Sequence, residues 1–348
     1  MEENQLAPQS QEPQDKGCLN CGNPAVLHEF PTKLCSECRE KFIRFPVPKW
    51  IWAFAGGIGL VVVFALFSFS GNLSTGIALE RGKKAEHDHR YKTAQREFEK
   101  VTAAVPGYLE GQAHLMMTAF NNLDFAAFNK AFKALQNQPI ADNELYKQLD
   151  DVVTKAGYYF QNDSSRQLHS KYDSLGIPIP DTVWRKYLQQ NRDDLGSMIV
   201  YSGELFDKEQ YAACDSICHV VLESYPGCIN ALLFMASVKR ETGNNDSALY
   251  YCNKLIELNN EYAPAFASKA RTYLKMKKDD EAMKLALQAY GMDKKDGYCT
   301  ATLAIAYHFK NDIKKRDELI NNNKSDSNMT TYLQVALDIF SKKEKFRD

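Results

Sequence analysis

Three small residues stand at a fixed interval of 34 in the second half of the chain. They are Cys214 in "KEQYAACDSICHVVLESYPGC", Ala248 in "GNNDSALYYCNKLIELNN" and Ala282 in "KKDDEAMKLALQAYGMDKK". A period of this length is that of a helix–turn–helix unit, which buries its apolar face only by stacking on a copy of itself. The small residues let the two helices of a unit approach closely, and larger apolar side chains fill the space between units. The units run over residues 195–228, 229–262 and 263–296. Cys214, Cys218 and Cys252 fall on the packing face of the second helix, where a thiol acts as a small apolar residue.

At this point the sequence resembles the tetratricopeptide repeat (TPR) family. In the family's first helix a Leu-like position precedes a small one, and here these are Tyr201-Ser202, Met235-Ala236 and Lys269-Ala270. Tyr273 and Tyr307 match the packing tyrosine, Gly243 the inter-helix turn, and Pro226 the terminal proline, which later units replace with Asn260 and Lys294. Nearer the N-terminus, residues 75–108 carry Gly82, Tyr91, Ala94, Phe98 and Pro106 in register. Residues 109–142 follow with Leu115, Phe125, Phe128 and Phe132. The register breaks over 143–194, an irregular helical connector in which Asp181 is placed as a helix N-cap. Repeats then fill 195–345 and end in a capping helix over 329–343.

The resemblance implies an all-α, TPR-like helical solenoid that binds a protein or peptide on the groove lined by its first helices. Carried over in register, the inward positions are Asn230, Leu233, Ser237 and Arg240, then Arg271, Leu274 and Lys275, then Tyr298, Ile305 and His308. This set suits a partner with hydrophobic anchors and some negative charge. The family's carboxylate clamp is not reproduced, since Leu233 and Ala267 stand where polar side chains are needed. Read as exposed groove residues, Arg240 and Arg271 should tolerate charge reversal without loss of stability.

Ahead of the repeats stand two Cys-x-x-Cys pairs, Cys18/Cys21 and Cys35/Cys38, in "CLNCGNPAVLHEFPTKLCSEC". A hairpin between Pro24 and Pro31 would gather four thiolates at the corners of a tetrahedron, as a closed structural zinc site requires. The "CLNCGN" half resembles a zinc-ribbon knuckle, with Gly22 relieving the turn. Residues 18–45 are therefore expected to form a zinc-ribbon-like module that needs its Zn2+ to fold. Two redox pairs or disulfides remain the alternative, and His28 could replace one cysteine.

Trp50 to Phe69 is a run of 20 residues without a charge, about 30 Å of helix, the thickness of a bilayer core. A single transmembrane helix over 50–69 is expected, with Trp50 and Trp52 at the interface. Lys33, Arg39, Lys41, Arg44 and Lys49 crowd its N-terminal side, while no basic residue follows until Arg81. That bias places the N-terminus in the cytoplasm, where thiols stay reduced, and the repeats beyond the membrane. The order of zinc ribbon, span and TPR resembles bacterial inner-membrane proteins.

The whole chain carries 43 basic and 44 acidic side chains, so a broad polyanion-binding surface is not expected. Residues 1–17, polar and rich in Gln and Pro, read as a disordered tail. The sequence contains no Gly-rich phosphate loop, nucleophile motif or HExxH. The best catalytic-looking run, "EHDHR" at 86–90, spaces its histidines two apart, which on a helix turns them away from each other. The expectation is a non-enzymatic, membrane-anchored scaffold or adaptor without a small-molecule substrate. The alternative is a membrane-bound regulator or sensor whose zinc module binds nucleic acid or a cytoplasmic regulatory protein.

Overall fold

The computed structural model describes residues 17–43, 47–160, 162–327 and 329–347, and for 65–72 the helical backbone alone. Most of the expected N-terminal tail, Arg44, and the side chains of the last five residues of the expected span lie outside that description. The chain divides into two compact units, residues 1–72 and 73–348.

The first unit holds the cysteine module. Its backbone closes through bonds from Cys18 N to Asn23 O (2.7 Å), Leu19 N to Lys33 O (3.0 Å) and Leu27 N to Leu34 O (3.0 Å). Helix α1 (Ser36–Ile43) begins directly after Cys35. A Cβ on Gly17 would overlap the Asn23 carbonyl, so this glycine belongs to the module and not to the tail.

Helix α2 (Lys49–His87) starts with the apolar run. Among the described residues no helix is long and apolar enough to cross a membrane, so the expected span is not found there. The uncharged stretch does not stand as a separate element. It continues without a break into the polar sequence "GNLSTGIALERGKKAEH".

The second unit is an all-α solenoid of helix pairs, TPR-like in its period. The end of α2 pairs with α3 (Tyr91–Ala104), and α4 (Leu109–Asn121) with α5 (Phe125–Leu135). After three connecting helices, α6 (Asn143–Gly157), α7 (Asp163–Leu175) and α8 (Asp181–Gln190), the pairs resume. These are α9 (Leu195–Asp207) with α10 (Tyr211–Ser224), α11 (Ile229–Glu241) with α12 (Asn245–Leu258), α13 (Ala263–Lys275) with α14 (Asp279–Met292), and α15 (Gly297–Phe309) with α16 (Ile313–Asn323). A last helix, α17 (Thr330–Phe340), packs on α15.

The period is written into the turns. His89, Leu123, Glu209, Gly243, Lys277 and Asn311 each sit between the helices of a pair with positive φ, and within each repeat group they follow at intervals of 34. One left-handed residue reverses the chain, and only Gly243 meets that need without a Cβ penalty. In the first pair, an added Cβ on Gly82 would lie 2.6 Å from Cε1 of Phe98, which is wholly buried. Glycine there is what lets the two helices close. Ala94, Ala248, Ala282 and Cys214 are likewise fully buried between helices.

The connector brings the first pairs back onto the later ones. Thr93 donates to Glu261 through its backbone N (2.7 Å) and its Oγ1 (2.5 Å), and Lys92 pairs with Asp293 at 3.0 Å. Asn260 N donates to the His89 carbonyl (3.1 Å), and Asn259 Nδ2 to the Asn121 carbonyl (3.1 Å). The loop between α12 and α13 thus satisfies its polar groups on the N-terminal pairs.

Candidate functional site

In the first unit the sulfurs of Cys18, Cys21, Cys35 and Cys38 all lie within 4.8 Å of one another. Gly22, at φ +75°, turns the chain so that its N donates back to the Cys18 carbonyl at 2.8 Å. Cys38 sits in the first turn of α1 and its sulfur accepts Asn20 Nδ2 at 3.3 Å. None of the four is in a disulfide, and His28 is not part of the cluster. Backbone amides, that of Cys35 foremost, pull the Cys18 thiol down to about 6. The Asn23 amide pulls Cys21 the same way, but the other three sulfurs outweigh it and push it up to about 12. Four thiols this close cannot all ionise without a cation among them, so the donor set fits a metal ion.

In the second unit the first helices α9, α11, α13 and α15 lie side by side, each touching the next. Asn230 and Leu233 are half-buried, and Leu233 packs on the cluster of Ile229, Leu232 and Leu255. Ser237 is buried. Arg240 and Arg271 are only 4% and 8% exposed. Arg240 donates from Nε to Glu241 (2.9 Å) and from Nη1 toward Ser268 (3.3 Å) and the Tyr298 hydroxyl (3.5 Å). Arg271 donates from Nε to Thr302 Oγ1 (2.8 Å) and stacks on Tyr298, 4.1 Å from the ring centroid. Burial opposes the Arg240 charge, but Tyr298 and Glu241 outweigh it and hold its pKa above the ordinary value. Arg271 is pulled below its ordinary value by burial, which outweighs Tyr298, Glu241 and Glu344.

The remaining inward positions are covered by the chain's own C-terminus. Leu274 and Ile305 are wholly buried in one cluster with Ala336, Ile339 and Phe346. Tyr298 meets Tyr332 edge-on at 6.3 Å, His308 stacks on Phe340 at 4.7 Å, and Lys275 lies 4.9 Å from the Phe346 ring centroid. The sequence alone places these residues in a groove lined by the first helices and 329–343 as a capping helix. The signal that points to their cover is the apolar spacing Leu333, Ala336, Ile339, followed by a lone Phe346 in a Lys-rich tail.

The "EHDHR" run does not converge. Glu86 accepts His114 Nδ1 at 2.7 Å, His89 Nδ1 donates to the Glu257 carbonyl at 2.6 Å, and His87 is exposed.

No family model matches the sequence, and no curated protein matches it. Among solved structures, the chain is similar to a tetratricopeptide repeat protein from Parabacteroides merdae, at 11% identity over 77% of this chain and 99% of that one, TM-score 0.41. It is similar to MamA at 15% identity over 53% and 98%, TM-score 0.35. It is also similar to yeast Tom70 at 15% identity over 72% and 58%, TM-score 0.36. At TM-scores below 0.5 these likenesses carry no argument about function.

Proposed function

We propose that this chain is a non-enzymatic, membrane-anchored adaptor that holds protein partners on its solenoid, with a structural zinc ion in its thiol cluster. The observation that carries the reading is the row of first helices α9, α11, α13 and α15, of which the chain's own C-terminus covers inward positions on α13 and α15 while Asn230 and Leu233 on α11 stay half-buried. Stacked helix pairs present long extended surfaces of this kind, suited to a protein segment rather than to a small molecule. Zinc is supported by the donors, since an all-thiolate set favours it over hard cations.

Anchoring is supported by the sequence from Trp50 to Phe69, which lacks any charge, and by the exposure of Trp50, Trp52, Phe54, Leu60, Val61 and Phe64. An apolar surface of that extent in water calls for an apolar partner phase. The basic residues before it favour a cytoplasmic N-terminus with the solenoid on the far side.

Crosslinking in intact cells, followed by recovery of the chain under denaturing conditions, tests the reading. A discrete protein partner crosslinked to residues 73–348 is the expected result. Recovery of the chain alone, over a range of crosslinker lengths, contradicts it.

A further inference from the structure

Helix α17 already closes the solenoid with Leu333, Ala336 and Ile339, all buried. The side chains of residues 341–345 beyond it are exposed, and Glu344 among them acts on Arg271 and Lys275. The tail then returns to the row of first helices. Phe346 is buried in the cluster with Leu274, its ring centroid 5.5 Å from that of Phe309 and 4.9 Å from Lys275 Nζ. Arg347 donates from Nη1 and Nη2 to the two carboxylate oxygens of Asp279 (2.5 and 3.0 Å) and from Nη1 to the Leu274 carbonyl (2.8 Å). Its guanidinium lies 3.8 Å from the Phe309 ring centroid.

These two side chains sit as a ligand sits in a site. Arg347 meets a bidentate carboxylate, a carbonyl of the last turn of α13 and an aromatic face with one planar group. A lysine, with a single point charge, cannot satisfy all three at once. The bridge behind the pair is exposed, so both anchors can leave without unpacking α17. The ground they cover is the end of α13, where Leu274 and Lys275 stand among the inward positions of the groove.

We propose that Phe346 and Arg347 form a latch held in cis, filling a site that recognises an aromatic residue followed directly by arginine in an extended segment of the partner protein. The partner displaces the latch, so the free chain is autoinhibited. This rests on the adaptor reading and names the chemistry of the partner. A second copy's tail offers the same two anchors as the chain's own tail, which a short bridge keeps at an effective concentration of roughly millimolar. The copy therefore cannot win the site. A partner segment wins through contacts beyond the latch, and the half-buried Asn230 and Leu233 on the neighbouring α11 are placed to supply them.

The test uses the full chain in detergent and the synthetic peptide SKKEKFRD, the sequence of residues 341–348, with a fluorine label on its Phe. Fluorine NMR follows binding at peptide concentrations up to roughly millimolar. Phe346→Ala combined with Arg347→Ala opens the site, and this chain should bind the peptide saturably. The wild type, its latch in place, should bind at least about tenfold more weakly. Lysine in place of the peptide's arginine should weaken binding to the opened chain by about tenfold, as expected for losing a charge-assisted hydrogen bond. Arg347→Ala alone leaves the buried Phe346 in place and should bind better than the wild type, whether or not the double variant folds. Equal binding by the wild type and both variants, no binding by either variant, or a lysine peptide as good as the arginine one would each overturn the proposal. Self-association of the wild type that Arg347→Ala abolishes would make the occupant a second copy and overturn it too. Cellular crosslinking separates it from the adaptor reading. Partners captured by variants that ignore the peptide sink the latch alone. Peptide binding by variants that capture no partner sinks the adaptor reading instead.

Discussion

Arg271 on α13 stacks its guanidinium on the ring of Tyr298 on α15, 4.1 Å from the centroid, with 8% of the residue exposed. The pair joins the first helices of two successive units through a buried charge that makes no ion pair within 4 Å among the described residues, with Glu241 and Glu344 acting on it from further away. Arg271→Glu therefore places an unpaired carboxylate where burial already disfavours charge. We expect a loss of about 3–5 kcal/mol by chemical denaturation, the scale for an uncompensated buried charge. Arg271→Met, which keeps the packing, should cost less than half as much. Equal stability of Arg271→Glu and the wild type would contradict the burial.

Gly82 faces Phe98 so closely that an added Cβ would lie 2.6 Å from the ring. Gly82→Ala should lower stability by about 1–3 kcal/mol through overpacking. Adding Phe98→Leu should recover part of the loss, because the smaller side chain yields the space. Thermal denaturation of the two variants decides this, and a double variant no better than the sum of the single ones would contradict the contact.

His308 is held below its ordinary value by burial and then by Arg316 and Arg347. Below about pH 6.5, the unfolded chain takes up a proton that the native state resists. The stability His308 confers is therefore full above that pH and is lost as the pH falls. Since His308 stacks on Phe340 at the end of α17, the loss should appear as faster amide exchange over residues 330–340. His308→Gln should flatten that pH dependence, and an unchanged profile would show that another group governs it.

Removing the proposed zinc from Cys18, Cys21, Cys35 and Cys38 should unfold residues 17–43 and leave the helical signal of the solenoid intact. Among the described residues the module's apolar core is Cys18, Cys35 and Cys38, with Val26 and Leu34 packed against them. Metal analysis should return one zinc per chain. A chelator that melted the repeats as well would contradict the independence of the two units.

The all-α solenoid is legible in the sequence because packing enforces the period directly. Ala94, Ala248 and Ala282 are wholly buried where helices cross, and a larger side chain at any of them would force the pair apart. The proximity of the thiols is legible for a similar reason, since two short spacings and a glycine at positive φ leave few arrangements. The state of the groove is not legible. Leu274 and Ile305 show the same periodic signature whether they face solvent or α17, and only the path of a segment more than 20 residues further on decides between the two. The return of the first pairs onto the later ones is hidden likewise. Thr93 and Glu261 are ordinary polar residues 168 positions apart, and nothing local marks them as partners. The apolar run from Trp50 is plain in the sequence, yet it continues as α2 to His87, so periodicity places no boundary at its end.

Site-specific photocrosslinking tests the adaptor reading most directly. A photoreactive residue is placed at Asn230 or Leu233, on the inner helix α11, and for comparison at the exposed Tyr250 on the outer helix α12. In intact cells, the inner positions should capture one discrete protein partner and Tyr250 should not. Capture of nothing at Asn230 and Leu233, or the same diffuse products at all three positions, would contradict it.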